Sequence, residues 1–480
     1  MTSGLKRKTD LCELGASDLS SAFRSGELSP KEVVKAVLDR AEKTQAAFNA
    51  FTHIDREGAL KAAGESEVRW RKQRPLSDLD GVPTTLKDIL PVAGWSVRYG
   101  SHATSATPHA GDAPAVARLR GAGAVFLGQT TTPEYGWKAV TDSDLFGVTR
   151  NPWDPALTPG GSSGGAAVAA ACGAGVFHLG TDGGGSVRIP ASFTGVFGHK
   201  PSFGRVPFFP ASSFGTVAHN GPITRRVEDA VAMLDVMSGR DPRDWTQPPM
   251  PFPSCAHEQV DWSGKRIGYW SRPCVGAVDP QVCAAIERVL ADLADLGAVV
   301  ETFDLPFSDS LAGIYDRHWC VGAAYRLSLI PPDERMTIDA GFLSAAEQGA
   351  RYSATERMDA ELKRAMFGAE MDRALTDFDF IMSPTVPILP FAAGHTIPPG
   401  TAYESWTHWA SFSFPINLSQ QPACSVPCGF SREGLPIGLQ IIGPRGHDGA
   451  VLGAARSLEA LYPETFATPS AIWSKRLDQI

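Results

Sequence analysis

The amino-acid sequence predicts an α/β protein in which helices cover both faces of a β-sheet. Amphipathic helical patterns alternate along the chain with short apolar runs that are typical of buried strands. Such an alternation favours a sheet between two helical layers. The 480 residues, of which 43% are hydrophobic and 20% charged, are enough to bury a large core.

The first helical pattern follows Ser29. Pro30 stands at the first helical position, and Glu32 completes a predicted capping box with Ser29. Apolar residues then recur at helical spacing, namely Val33, Val34, Val37, Leu38 and Ala41. We therefore expect residues 1–75 to form an N-terminal helical layer.

The centre of the chain combines a short helix with a short strand. Residues 166–174 are small and suit a buried helix opened by Gly164 and Gly165, and residues 175–181 form an apolar strand. His178 falls inside this strand, where we expect it to fill space and not to act as a base.

A third helix and strand lie further along the chain. Asp279 and Pro280 predict the start of a helix, and Gly297 predicts its end. The apolar positions of this helix are Val282, Ile286, Val289, Leu290 and Leu293. Residues 298–300 then form the predicted strand.

Two glycine-rich runs and one lysine indicate the chemistry. Ser162 lies in the run PGGSSGG, Ser186 lies in the run TDGGGSVRIP, and Lys87 lies upstream in GVPTTLKD. A serine nucleophile needs a base to remove its proton and donors to hold the negative oxygen of the tetrahedral intermediate. Lys87 can be that base only if burial lowers its pKa from about 10.4, and its apolar flanks predict partial burial.

Glycines can supply the donors that hold the negative oxygen, because a residue without Cβ lets its N–H approach a substrate oxygen closely. The predicted oxyanion loop consists of Gly183, Gly184, Gly185 and Ser186. Together with Lys87 and Ser162, this loop predicts a Ser/Lys acyl-transfer enzyme.

The runs GGSSGG, GTD-x-GGS-x-R-x-P and LKD, at these intervals, resemble the amidase signature family. The resemblance implies a large twisted mixed β-sheet and an amide hydrolase with a Ser, cis-Ser, Lys triad. We expect no cofactor or metal, because the sequence has no H-E-x-x-H zinc pattern, no P-loop and no G-x-G-x-x-G motif. It implies Ser186 as the nucleophile, Ser162 as a bridging serine held by a cis peptide bond, and Lys87 as the base.

Further positions match or depart from the family pattern. Ser163, Asp182 and Arg188 match supporting positions that hold the loop by hydrogen bonds. Gly183 replaces the usual Thr, Ile or Ala and predicts a looser loop. Gly136, beside Tyr135, replaces a larger side chain next to the scissile carbonyl and predicts a wider substrate pocket.

The resemblance spans most of the chain and predicts a single domain over residues 1–480. Within it we expect an N-terminal helical layer (1–75), a catalytic core (76–235), a divergent, mainly helical region (236–375) and a C-terminal part that completes the sheet (376–480).

The substrate is predicted only by class. Aromatic residues occur in segments expected to border the cleft, namely Trp95, Tyr135, Trp137, Phe146, Phe208, Phe209, Phe214, Trp406 and Trp409. Pockets for small ligands are mainly apolar, so we expect an aryl or apolar acyl amide, with charged amino-acid amides as poor substrates. A carbamate or ester hydrolase with the same triad is one alternative, and a glutaminase-type A subunit of a transfer-RNA amidotransferase is another.

Two other hypotheses are disfavoured. The pattern G-x-S-x-G around Ser162 also fits a nucleophile elbow with His408 or His447 as base. That elbow needs a preceding strand, and residues 151–159 contain three prolines without alternation. A catalytically inactive homologue is disfavoured because all three triad positions are occupied.

The composition of the chain limits the kinds of partner that it can bind. A net charge of −8 provides no general attraction to nucleic acid or to anionic membranes. No run approaches the ~20 apolar residues of a membrane span, and the basic run 6–8 precedes no apolar signal segment. Eight scattered cysteines suit reduced thiols. We therefore expect a cytoplasmic monomer or homodimer that acts on a small molecule.

Overall fold

The computed structural model describes residues 10–255, 258–307 and 310–469. The α-helices are α1 (Ala16–Ser25), α2 (Pro30–Phe48), α3 (Arg56–Arg71), α4 (Pro114–Gly121), α5 (Gly164–Ala171), α6 (Arg188–Thr194), α7 (Val227–Met237), α8 (Pro280–Asp295), α9 (Leu311–Ser328), α10 (Ala340–Arg351), α11 (Ala354–Asp377), α12 (Trp406–Trp409), α13 (Phe414–Ser419) and α14 (Asp448–Leu461). Short 3₁₀ helices span Leu11–Glu13, Glu134–Gly136, Gly215–Val217, Pro332–Thr337 and Pro463–Phe466.

The strands are β1 (Phe51–Ile54), β2 (Pro83–Lys87), β3 (Val125–Thr130), β4 (Asp142–Ser143), β5 (Gly147–Val148), β6 (Phe177–Asp182), β7 (Phe197–Lys200), β8 (His219–Thr224), β9 (Arg266–Tyr269), β10 (Val299–Thr302), β11 (Phe380–Pro384), β12 (Ala423–Phe430) and β13 (Pro436–Ile442). Within the described ranges, eleven of them form one sheet in the order β1-β3-β2-β6-β8-β7-β12-β13-β11-β9-β10. The sheet is mixed, because β2 runs parallel to β3 and β6 while β8 runs antiparallel to β6.

Helices cover both faces of this sheet, as the sequence predicts. On β11, Met382 belongs to one hydrophobic cluster and Ile381 to another. Neighbouring strand residues point to opposite faces, so the two clusters lie on opposite sides of the sheet. The first cluster includes residues of α2, α7, α8 and α14, and the second includes residues of α9, α11 and α13. The predicted α/β fold class is confirmed.

The predicted helix starts agree with the structure. Ser29 Oγ accepts a hydrogen bond from the N–H of Glu32 at the start of α2. The Asp279 carboxylate accepts from the N–H of Gln281 at the start of α8. The central elements are shifted by a few residues: α5 ends at Ala171 and β6 begins at Phe177.

Sheet topology brings the lysine to the second glycine-rich run. Strands β2 and β6 are parallel neighbours, with Leu86 paired to Leu179. Lys87 is the last residue of β2, and Thr181 and Asp182 end β6. The carboxyl ends of parallel neighbours meet at one edge of a sheet, which is where open α/β sheets bind ligands.

Two expectations about the whole chain are not decided here. The basic run 6–8 lies outside the described residues, and the single domain with four parts stays a prediction. In the described part of the chain, no helix has both the length and the apolar character that crossing a bilayer requires.

Candidate active site

The amine of Lys87 is surrounded by hydroxyl groups. Its Nζ lies within hydrogen-bonding distance of three hydroxyl oxygens, at 2.7 Å from Ser162 Oγ and 2.9 Å from both Ser163 Oγ and Thr181 Oγ1. All four side chains are buried. The structure therefore brings Lys87 and Ser162 into direct contact, as the predicted proton relay requires.

Burial lowers the pKa of Lys87 well below its ordinary value, and the negative charge of Asp182 opposes this shift only in part. Desolvation disfavours the charged form of an amine. The lysine is therefore able to accept a proton near neutral pH.

Both serines face the same cavity. The peptide bond between Gly161 and Ser162 is cis, as the family resemblance implies. The N–H of Ser163 donates to the carbonyl oxygen of Ser186 at 3.1 Å, which ties the two glycine-rich runs together. Ser162 and Ser186 line one cavity of about 310 Å³.

The glycine loop before Ser186 needs one correction. The N–H of Gly185 donates to Asp182 Oδ1 at 2.8 Å, so it is not available to a substrate oxygen. The prediction that Gly185 donates in the oxyanion hole is wrong for this reason. The N–H groups of Gly183, Gly184 and Ser186 are the candidate donors that remain.

The carboxylate of Asp182 holds this loop through several hydrogen bonds. Its carboxylate accepts from Arg188 Nε and Nη2, both at 3.0 Å, and from the N–H of Val187 at 3.2 Å. Asn417 Nδ2 adds a hydrogen bond at 2.9 Å. Burial raises the pKa of Asp182, but the Arg188 guanidinium more than compensates and holds this pKa well below its usual range. The carboxylate is therefore ionised, and Asp182 and Arg188 hold the loop as predicted supporting residues would.

Residues that are distant in sequence also contact the loop around Gly183. The sequence predicts that this loop is loose. Tyr315 donates its hydroxyl hydrogen to Gly183 O at 3.1 Å, and Ser413 Oγ donates to Gly184 O at 2.8 Å. Trp319 packs against Gly183, where a Cβ atom would lie 2.9 Å from the indole. The loop is thus tied through its carbonyl groups.

Gly136 and Tyr135 lie at the cavity wall, as predicted. A Cβ atom on Gly136 would lie 3.3 Å from Ser162 Oγ and 3.0 Å from Ile89 Cδ1. Both distances are short for a Cβ contact, so Gly136 packs closely against Ser162 and Ile89, and a side chain here would require these neighbours to move. The wider pocket stays a prediction.

The rest of the cavity wall is mainly apolar and aromatic. Of the aromatic residues predicted to border the cleft, those that line the cavity are Tyr135, Phe208, Phe209 and Phe214. Tyr99, Trp319, Tyr325 and Arg326 also line it, and sequence reasoning missed them. They lie in segments without a motif, so no local signal marks them.

The histidine-based alternative does not fit this geometry. Residues 151–161, all of them described, contain turns and an isolated bridge at Leu157 instead of a strand before Ser162. Neither His408 nor His447 is among the described residues that line the cavity.

His178 is a buried residue of β6, as predicted. Its Nδ1 lies 2.7 Å from Thr85 Oγ1. Burial lowers the pKa of His178 to about 3. Within the described residues, no group of three or more His, Cys, Asp or Glu side chains is arranged to hold a metal ion.

Comparisons with known proteins find amidases among the relatives of this chain. A family model described as Amidase matches residues 32–452. An acylamidase from Rhodococcus erythropolis is 33% identical over 466 residues, which covers 94% of this chain and 96% of the relative. The A subunit of the glutamyl-tRNA(Gln) amidotransferase of Chloroflexus aurantiacus is 32% identical, with coverage of 91% of this chain and 94% of the relative.

A solved structure of an amidase signature enzyme is also similar to this chain. The crystal structure of a bacterial aryl acylamidase of the amidase signature enzymes superposes with a TM-score of 0.87 at 30% sequence identity. The match covers 95% of this chain and 98% of that one.

Proposed function

Because this chain belongs to the amidase signature family and is an amide hydrolase, we propose that it cleaves an aryl or apolar acyl amide through a seryl acyl-enzyme. Ser186 is the nucleophile, Ser162 relays its proton, and Lys87 is the base. The single observation that carries this proposal is the buried hydrogen bond of 2.7 Å between Lys87 Nζ and Ser162 Oγ.

In the first half of the reaction, Ser186 Oγ attacks the amide carbonyl carbon while its proton passes to Ser162 Oγ. The Ser162 proton passes to the neutral amine of Lys87, which becomes an ammonium group. The N–H groups of Gly183, Gly184 and Ser186 hold the negative oxygen of the tetrahedral intermediate.

In the following steps, the proton moves back from Lys87 through Ser162. The ammonium of Lys87 returns its proton through Ser162 to the leaving nitrogen, the C–N bond breaks, and Ser186 retains the acyl group as an ester. Water then attacks the carbonyl carbon of this ester, and its proton passes through Ser162 to Lys87. When the ester C–O bond breaks, the Lys87 ammonium returns a proton through Ser162 to Ser186 Oγ, which releases the carboxylic acid and regenerates Ser186 and neutral Lys87.

The cavity supports the substrate class. Its volume of about 310 Å³ suits a small molecule, and Phe208, Phe214 and Trp319 form part of its wall. The acylamidase and aryl acylamidase among the similar proteins act on substrates of this kind by name. An anilide with an apolar acyl group fits both observations.

A carbamate or ester hydrolase is the second candidate function, because Ser186 can attack the carbonyl carbon of either group. Gly136 approaches the serine relay closely without a side chain, since a Cβ atom there would lie 3.3 Å from Ser162 Oγ. The same relay from Ser186 to Lys87 would cleave either bond.

The amidotransferase alternative fits the cavity less well. Glutamine carries an α-ammonium group, which needs a carboxylate partner when it is buried. None of the described residues that line the cavity is Asp or Glu. We therefore expect glutamine to be a poor substrate, although the chain resembles the A subunit of such a complex.

The test compares turnover of 4-nitroacetanilide, an aryl carbamate, an aryl ester and glutamine by the purified protein. Ser186→Ala should abolish turnover of the preferred substrate, and Lys87→Met should lower it at least about 10³-fold. Mass spectrometry of a reaction with a slowly hydrolysed 4-nitrophenyl ester should place the acyl group on Ser186.

Lys200→Met is the matched control for Lys87→Met. Lys200 is also a fully buried lysine, but it does not line the cavity and hydrogen-bonds to backbone carbonyl oxygens. Its variant should keep most of the activity. An acyl adduct on another residue, or full activity of Ser186→Ala, would exclude the mechanism, and glutamine turnover equal to that of the anilide would exclude the substrate class.

A further inference from the structure

The cavity wall carries one positive charge without a carboxylate beside it. Arg326 lines the cavity from the last turn of α9. Its Nε is buried and has no hydrogen-bonding partner among the described residues. None of the described lining residues is acidic. A guanidinium in a cavity wall without acidic side chains is a recognition element for an anion.

Two tyrosines hold the guanidinium in place. It lies 4.9 Å from the ring centroid of Tyr99 and 4.7 Å from that of Tyr135, and these two rings are 6.0 Å apart. Such cation–π contacts orient the planar fork but leave its N–H groups free to donate.

The hydroxyl of Tyr135 is a second unused donor in the same wall. It is buried and, like Arg326 Nε, makes no hydrogen bond of good geometry within the described residues. Burial raises the pKa of Tyr135, and the neighbouring Ser101 hydroxyl and Arg326 guanidinium oppose that rise. The hydroxyl therefore keeps its proton at neutral pH. Buried polar atoms without partners are rare in proteins, so two of them at one cavity need an explanation.

This pair lies next to the reactive end of the cavity. Tyr135 directly precedes Gly136, where a Cβ atom would lie only 3.3 Å from Ser162 Oγ. A group held by Tyr135 and Arg326 therefore belongs to the same small molecule whose amide bond reaches Ser186.

We propose that Arg326 and Tyr135 form a carboxylate subsite, so that the preferred substrates are amides that also carry a carboxylate. This inference rests on the proposed amidase function and names its substrate class more narrowly. The guanidinium fork matches the two oxygens of a carboxylate, and the tyrosine hydroxyl adds a third donor. A neutral substrate would leave the guanidinium charge without a counter-charge at the cavity wall.

The test uses two pairs of anilides in which a methyl group replaces the carboxylate. The first pair is 4-acetamidobenzoate and 4-acetamidotoluene, with the charge on the amine side of the bond. The second pair is succinanilate and butyranilide, with the charge on the acyl side. We expect the native protein to show a higher kcat/KM for the charged member of at least one pair.

Variants of Arg326 and Tyr135 test whether these residues cause the preference for substrates that carry a carboxylate. Arg326→Met should lower kcat/KM for the preferred charged substrate about 10- to 100-fold, and Tyr135→Phe about 2- to 10-fold. In both variants, kcat/KM should fall less for the neutral member of the pair than for the charged member. Arg317→Met is the matched control, because Arg317 lies on the same helix over the ring of Tyr352, at 5.3 Å, and is not part of the cavity wall.

A binding measurement separates this inference from the proposed function. Calorimetry on Ser186→Ala should show binding of the preferred charged compound that weakens about 10- to 100-fold in Ser186→Ala/Arg326→Met. Turnover of neutral anilides alone, or an equal effect of Arg326→Met and Arg317→Met, would overturn the subsite and leave the amidase intact. Carboxylate binding without any anilide turnover would overturn the amidase proposal and leave the subsite.

Discussion

The indole of Trp319 occupies the volume that a side chain on Gly183 would need, since a Cβ atom there would lie 2.9 Å from Cζ3 of the indole. Trp319 is itself held in place, because its Nε1 donates to Trp137 O at 2.9 Å. Phe214 stacks on its ring at a centroid distance of 3.9 Å. The loop at Gly183 and the part of the cavity wall formed by Trp319 therefore have complementary shapes.

This match predicts the effect of Gly183→Ala. The added methyl group must displace Trp319 or the loop, so we expect a loss of about 1–3 kcal/mol in the free energy of unfolding and a lower kcat/KM. Urea unfolding and anilide turnover measure the two effects. Trp319→Leu in the same chain should restore part of both, because it removes the clash.

Gly368→Ala is the control for that substitution. Position 368 lies in α11, and a Cβ atom there meets nothing within 4 Å. Alanine should raise the free energy of unfolding by about 0.5–1 kcal/mol at a helical position. Unchanged stability and activity in Gly183→Ala would show that the loop does not depend on this fit.

The lowered pKa of Lys87 predicts the pH dependence of activity. The base must be neutral, so kcat/KM falls only when the pH drops through the pKa of Lys87 in the folded protein. That pKa lies well below the ordinary ~10.4. We expect kcat/KM at pH 8 to be within about twofold of its value at pH 9, where an ordinary lysine would give about a tenfold difference. A tenfold fall in a pH–rate profile would contradict the proposed role of burial.

Lys200 predicts a pH dependence of stability. Burial lowers the pKa of Lys200 to about 7, and the charge of Arg188 adds to this shift. Between that value and the ordinary ~10.4, the unfolded chain binds a proton that the folded chain does not, so stability rises with pH. The contribution is about 1.4 kcal/mol per pH unit.

Removing the amine should remove this slope. Lys200→Met should show a flatter rise of the free energy of unfolding between pH 7.5 and 9.5 than the native chain, as measured by urea titration at each pH. Lys87 contributes a slope of the same sign, which remains in this variant. Parallel curves for the native chain and Lys200→Met would mean that Lys200 titrates normally.

Asp182→Asn tests the anchor of the oxyanion loop. The substitution removes the counter-charge of the fully buried Arg188, and the loss of one partner of a buried pair lowers stability by about 3–5 kcal/mol. It also weakens the contact to Gly185 N–H, so kcat/KM should fall even at temperatures where the variant is folded. Thermal unfolding and turnover at low temperature separate the two effects.

Asp78→Asn provides the comparison on the surface. Asp78 pairs with Arg24, and their side chains are 76% and 61% exposed. Exposed ion pairs contribute about 0–1 kcal/mol, so this variant should be nearly as stable as the native chain. Equal losses in both variants would indicate that burial of the Asp182 pair has no special effect.

Much of the site could be predicted from short stretches of sequence. Glycine-rich runs bring N–H groups close to a substrate, and Ser162, Ser186 and Lys87 are the groups that acyl transfer needs. Helix starts at Ser29 and Asp279 also follow from local rules, because capping involves residues only two or three positions apart.

The supporting contacts could not be predicted in this way. Arg188 binds Asn417, which is 229 positions away, and Tyr315 reaches Gly183 across 132 positions. Even the glycine prediction failed at Gly185, because its N–H is used by a carboxylate three positions earlier. A backbone donor has one hydrogen, and only the folded loop decides which acceptor receives it.

The sequence alone therefore determined the α/β class and was enough to propose the reacting groups, since periodicity and short motifs depend on neighbours along the chain. The tertiary structure decided the buried state of Lys87, the use of the Gly185 N–H by Asp182 and the position of Arg326 in the cavity wall. The physical reason is that desolvation, ion pairing and cavity shape depend on residues that are distant in sequence and meet only when the sheet and its helical layers pack.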